Sequence, residues 1–157
     1  MDARVRGIAP PAGRVPTRFQ IPSEAAQHRY NICMGTSTTT LWRPVGRNEL
    51  ALIDSSGYRE FPPRLPEQPI FYPVLNFAYA ERIARDWNST DARHAYVGFV
   101  TRFVVASEFL TGHETHQVGD RTHVEYWIPA EDLGRFNSAI QGLIEVVSEY
   151  RHGQRTR

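Results

Sequence analysis

A chain of 157 residues has the length of one domain and can bury a core without disulfide or metal staples. All 18 basic residues are arginine, the formal net charge is +1, and the single cysteine, Cys33, excludes an intramolecular disulfide or a thiolate cluster within one chain. No run of about 18 consecutive apolar residues occurs and the N-terminus lacks the apolar segment of a secretory signal, so a membrane-spanning helix is excluded and a reducing, cytoplasmic setting is expected.

The charge is unevenly spread. Residues 1–40 carry five arginines against Asp2 and Glu24, whereas residues 41–150 carry ten arginines against fifteen carboxylates. An acidic body argues against the broad phosphate-binding surface that drives non-specific nucleic-acid affinity. Residues 1–40 hold Pro10, Pro11, Pro16 and Pro22 without any periodicity and are expected to be a disordered extension, with Met34 an alternative start.

The first predicted strand is Leu41–Val45, with Trp42 on one face and Leu41 and Arg43 on the other. Residues 47–56 read as a helix with Leu50, Ile53 and Leu52 inward, ended by Gly57. The four prolines of residues 61–69 dictate a stiff, extended loop, a ready wall for a ligand cleft. A strand at Ile70–Val74 follows; Pro69 and Pro73 remove backbone donors and confine it to an edge or the side of a cleft. It runs into a helix whose inward face repeats as Phe77, Ala80, Ile83, Ala84 and Trp87.

Residues 96–105 read as a long central strand with Arg102 its one charged interruption, then a short helix over 107–112 and a weak strand over 115–118. In His123–Pro129 alternation puts His123, Glu125 and Trp127 on one face and Val124, Tyr126 and Ile128 on the other. Pro129 opens a helix over 130–140 with Leu133, Phe136 and Ile140 inward, a last strand is expected at Leu143–Val147, and residues 151–157 read as a flexible tail. The whole predicts one α+β domain over 41–150, a twisted, mostly antiparallel sheet with two or three flanking helices.

Charges within strands break local rules, and such violations tend to mark sites; Arg43, Arg102 and Glu125 stand out, with Tyr72 and Tyr79 near them. His113, His116 and His123, with Glu114 and Glu125, could suggest a zinc site but do not have the spacing of a zinc helix, and no glycine-rich phosphate loop is present.

The blocks LWRPV, IFYPV followed by NFAYAERIA, and HVEYWIPAEDL resemble the ADP-ribosyltransferase fold over about residues 41–147. In that family an Arg or His lies on a first strand, an aromatic or Ser on a second with another aromatic on the adjoining helix, and a catalytic Glu on a late strand. The resemblance implies Arg43, Tyr72 with Tyr79, and Glu125 in these places. It implies NAD as substrate, cleaved at its nicotinamide–ribose bond, with Glu125 stabilising the oxocarbenium-like transition state, Arg43 anchoring a ribose or the diphosphate, and the two tyrosines sandwiching nicotinamide. His123 stands where protein-modifying members commonly have an acidic residue or glutamine, which leaves the acceptor (protein, nucleic acid, small molecule or water) open and makes His123 a candidate acceptor-side residue. The chain is also similar to short bacterial proteins labelled ADP-ribosylation/J-crystallin; that label points to larger, all-helical glycohydrolases with paired carboxylates around magnesium, an architecture at odds with the strands predicted here.

Other readings of the same residues are structural. Arg43 could pair with Glu125 or another carboxylate, Tyr72 and Tyr79 could be core aromatics, and Glu125 a solvated strand residue. A transferase-fold module that binds a nucleotide or protein partner without turnover is the alternative function.

Overall fold

The computed structural model describes residues 37–157. The expectations placed on residues 1–36, disorder and the Met34 start among them, lie outside the described residues. Strand β1 covers Thr38–Gly46, so its first three residues belong to the sheet rather than to an N-terminal extension. Helix α1, Arg47–Ser55, follows at once and ends on Gly57 at φ 71°, a conformation glycine adopts without a Cβ penalty. Within it Ile53 is buried and Leu50 packs on the core, but Leu52 is 54% exposed, contrary to the inward position expected of it.

The strand expected at Ile70–Val74 is reduced to β2, Ile70–Phe71, antiparallel to β6, Ile128–Pro129. Pro69 and Pro73 account for the break, since each gives the ladder only a carbonyl, accepting from Ala130 and Tyr126 respectively. Pairing resumes at Val74, which exchanges backbone hydrogen bonds with Trp42 at 2.8 and 2.9 Å and bridges on its other side to Glu125. Helix α2, Phe77–Asp86, starts on Asn76, whose side-chain Oδ1 accepts from the amides of Ala78 and Tyr79. It buries Tyr79, Ala80 and Ala84, while Trp87, expected inward, is 60% exposed just past its end.

Strand β3, Val97–Ala106, is central as expected, lying between β1 and β7 (Glu145–Arg151), with β8 (Gln154–Arg155) beyond, in the order β1-β3-β7-β8. A short helix α3, Ser107–Leu110, leads to the hairpin of β4, Thr115–Gln117, and β5, Val124–Tyr126. The helix expected over 130–140 is a 3₁₀ turn, Ala130–Asp132, continued by α4, Leu133–Ala139. Strand β7 is Glu145–Arg151 rather than Leu143–Val147, because Gly142 at φ 85° turns the chain and Leu143 stays outside. The final residues are not a free tail: β8, Gln154–Arg155, folds back on β7.

The described residues form an α+β unit with antiparallel strand pairings. The sheet has two covered faces. On one, Phe61, Phe71, Phe103 and Phe136 meet with ring centroids 4.8 to 6.4 Å apart in tilted and edge-on geometries, under α1 and α4. On the other, α2 lies against Trp42, Val100, Val147 and Tyr150. Gly98 makes this approach possible: a Cβ there would stand 2.1 Å from the Ala84 carbonyl oxygen. No helix among the described residues is long and apolar enough to cross a membrane.

Candidate functional site

Partners directly opposite in antiparallel strands share a face. Val74 lies opposite both Trp42 and Glu125, so the three side chains line up on the α2 side of the sheet. The carboxylate of Glu125 is thereby carried to Tyr79, in the first turn of α2. The Tyr79 hydroxyl donates to Glu125 Oε2 at 3.4 Å and the Trp127 indole Nε1 donates to Oε1 at 2.8 Å. Glu125 is 8% exposed, and no cation stands within ion-pair distance of it among the described residues. An anion taken out of water and held only by neutral donors is costly in a resting fold, and it favours whatever brings positive charge beside it. Burial and the adjacent Glu125 carboxylate push the Tyr79 hydroxyl above the usual tyrosine range, so this donor keeps its proton.

This carboxylate sits in a cavity of about 270 Å³ lined by Arg43, Tyr72, Tyr79, Ile83, Trp87 and Glu125, with Pro44 and Val74. The residues singled out in three distant segments of the sequence therefore border one hollow. Tyr72, on the extended stretch after β2, is 37% exposed and meets Trp127 edge-on at 6.1 Å. The two aromatic donors to Glu125 are themselves backed by imidazoles. His123 stacks on Tyr79 with ring centroids 4.1 Å apart, and His116 on Trp127 at the same separation. One face of Tyr79 is thus already covered, and only the other can meet a ligand.

The Arg43 side chain is turned away from the Glu125 carboxylate. Strand alternation sends its side chain to the opposite face from Trp42 and Glu125, with Leu41 and Val45. There its Nε and Nη2 donate to the two oxygens of Glu49 at 2.7 and 3.2 Å, its Nη1 donates to the Tyr72 carbonyl at 3.2 Å, and its guanidinium carbon lies 4.5 Å over the Phe71 ring. Its charge is matched by Glu49 rather than left for a ligand, and its effect on the cavity is to hold the backbone of Tyr72. Arg102 is likewise paired at the sheet surface, with Glu145 at 2.7 Å.

Sequence reasoning gave no role to Glu49, His116 or Trp127. The alternation that placed Trp127 on the face of Glu125 was the available signal for the indole; nothing local marks Glu49 as the partner of Arg43. His113 lies elsewhere, against Asp132 at 3.4 Å, so the three histidines do not converge. Among the described residues no group of three His, Cys, Asp or Glu side chains is placed to hold a metal ion. No protein family, curated protein or solved structure matches the chain.

Proposed function

We propose that the protein binds NAD with the nicotinamide riboside end in the Tyr72–Tyr79–Glu125 cavity and cleaves the nicotinamide–ribose bond, on a scaffold of the ADP-ribosyltransferase type. The observation that carries this reading is the Glu125 carboxylate, buried with no cation in ion-pair distance among the described residues and fixed by two neutral donors in the lining of a partly aromatic hollow. In the cleavage the C–N bond electrons leave with nicotinamide, which becomes neutral, and the ribose carbon takes on positive charge. A carboxylate already desolvated and oriented stabilises that charge as it develops, without reorganisation at the moment of reaction. Water or another acceptor then adds to the ribose carbon and its proton is released to solvent.

Tyr79, although buried, lines the cavity, and with the half-exposed ring of Tyr72 it supplies stacking partners for nicotinamide; a pyridinium cation is itself favoured over aromatic faces. Pocket size agrees with this division: about 270 Å³ suits one ring and its sugar rather than a whole dinucleotide. In this reading Arg43 positions Tyr72 and does not touch the diphosphate, and His123 backs Tyr79 rather than serving an acceptor. The same aromatic and acidic lining also suits a binding module that captures a nucleotide or a cationic partner group without turnover.

Measuring nicotinamide release from NAD, with binding followed in parallel by tryptophan fluorescence, separates the two. The enzyme reading expects release that Glu125→Gln abolishes while NAD still binds. Saturable binding without release by the unaltered protein would leave the module, and no NAD binding would refute both for this ligand.

A further inference from the structure

A second, larger cavity of about 640 Å³ opens between α1 and the proline-rich loop of residues 61–69, and it meets the first along Arg43 and Pro44. Its walls are held firmly. Asn137 exchanges two 3.0 Å hydrogen bonds with the backbone of Phe61 at one end of the loop. At the other end the Arg64 Nε donates to the Ile70 carbonyl at 3.1 Å and its Nη2 to Gln68 at 3.3 Å. The prolines between these anchors leave little freedom to lose on binding.

The charge in this cavity does not close. Arg43 and Arg64 share one carboxylate, Glu49, and Arg43 takes both of its oxygens. The Arg64 Nη1 is left 3.8 Å from Glu49, beyond hydrogen-bond reach, on a side chain only 10% exposed. Burial and the neighbouring Arg43 lower the affinity of the Arg64 guanidinium for its proton, the mark of a cation short of anions. The other wall carboxylate, Glu67, is exposed to solvent. Leu52 and Leu65, 54% and 55% exposed, form apolar lips on either side of the opening.

We propose that this cavity is a second binding site, taking a small molecule that bears a phosphate or diphosphate, with the anionic group docked on Arg64 and an apolar part against Leu52 and Leu65. A planar guanidinium with an unused amino group suits phosphate oxygens, and the fixed loop presents it without an ordering cost. The site stands apart from the NAD reading, since it requires only the anion.

Inorganic pyrophosphate titrated into the full chain at low ionic strength, followed by amide NMR and calorimetry, is the test. Saturable binding is expected, with shifts concentrated in residues 48–52 and 64–68, and Arg64→Gln should weaken it by about tenfold or more. Glu49→Gln, which withdraws the competing carboxylate, should tighten it, whereas Arg102→Gln, at the sheet surface outside this cavity, should leave it nearly unchanged. Absence of saturation, wild-type affinity in Arg64→Gln, or unchanged affinity in folded Glu49→Gln would each overturn the proposal.

Discussion

The Trp127 indole donates a 2.8 Å hydrogen bond to Glu125, two residues earlier in the chain, and so fixes the carboxylate from one side while Tyr79 fixes it from the other. If the orientation of this acid matters to bond cleavage, removing a neutral donor should be felt although no charge is changed. Trp127→Phe keeps an aromatic ring against Tyr72 and His116 but loses the N–H. Nicotinamide release should fall about ten- to a hundredfold, the equivalent of one hydrogen bond to a charged group, in a steady-state comparison with the parent. Unchanged release would show that the indole does not hold the acid for reaction.

The Arg43–Glu49 pair makes a separate prediction about stability. With side chains 9% and 22% exposed, the pair is well enough buried that breaking it strands a charge. Arg43→Met should cost about 3 kcal/mol in urea denaturation, and adding Glu49→Leu should recover most of the loss. If Arg43→Met is neutral, Arg43 is not the brace that holds Tyr72.

Much of this arrangement could be read from the chain before any coordinates. The alternation that sets Leu41 and Arg43 opposite Trp42, the near-continuous apolarity of residues 96–105 and the glycine after α1 each have a direct physical cause and appear close to where expected. The face shared by Glu125 and Trp127 followed from alternation alone. What escaped depends on distant partners. Glu49 faces Arg43 because α1 turns back immediately after β1, which periodicity does not reveal. Trp87 completes an apolar helical stripe in sequence but falls past the last turn of α2, and so lines the cavity mouth. The polar run Ser148–Arg151 hid most of β7, whose buried members Ser148 and Tyr150 are not a typical strand signal.

Packing of α2 on the sheet sets where Tyr79 stands, and Gly98 is its narrowest point. Gly98→Ala would place a methyl group 2.1 Å from the backbone oxygen of Ala84, which cannot rotate away. Overpacking of this kind costs about 1–3 kcal/mol or more, and the expected loss is a lowered urea midpoint together with weakened NAD binding as α2 is displaced. A variant as stable as the parent would mean that the helix and strand do not approach this closely.

Two buried tyrosines predict behaviour in alkali. Burial raises the Tyr150 hydroxyl above its ordinary value, helped by its hydrogen bond to Glu81, and burial with Glu125 does the same for Tyr79. Because the unfolded chain gives up these protons first, near pH 10.0, stability should be level below that pH and decline as pH rises from there through the folded-state values. Tyr150→Phe should lower stability at neutral pH but flatten the alkaline decline, as read from urea midpoints across the range. An equally steep decline in the variant would contradict the assignment.

The most direct measurement is a crystal structure of Glu125→Gln with NAD bound. The nicotinamide ring is expected between Tyr72 and the cavity-lining side of Tyr79, with a hydroxyl of its ribose about 3 Å from the side chain of residue 125. NAD bound elsewhere, or with its nicotinamide end outside this cavity, would contradict it.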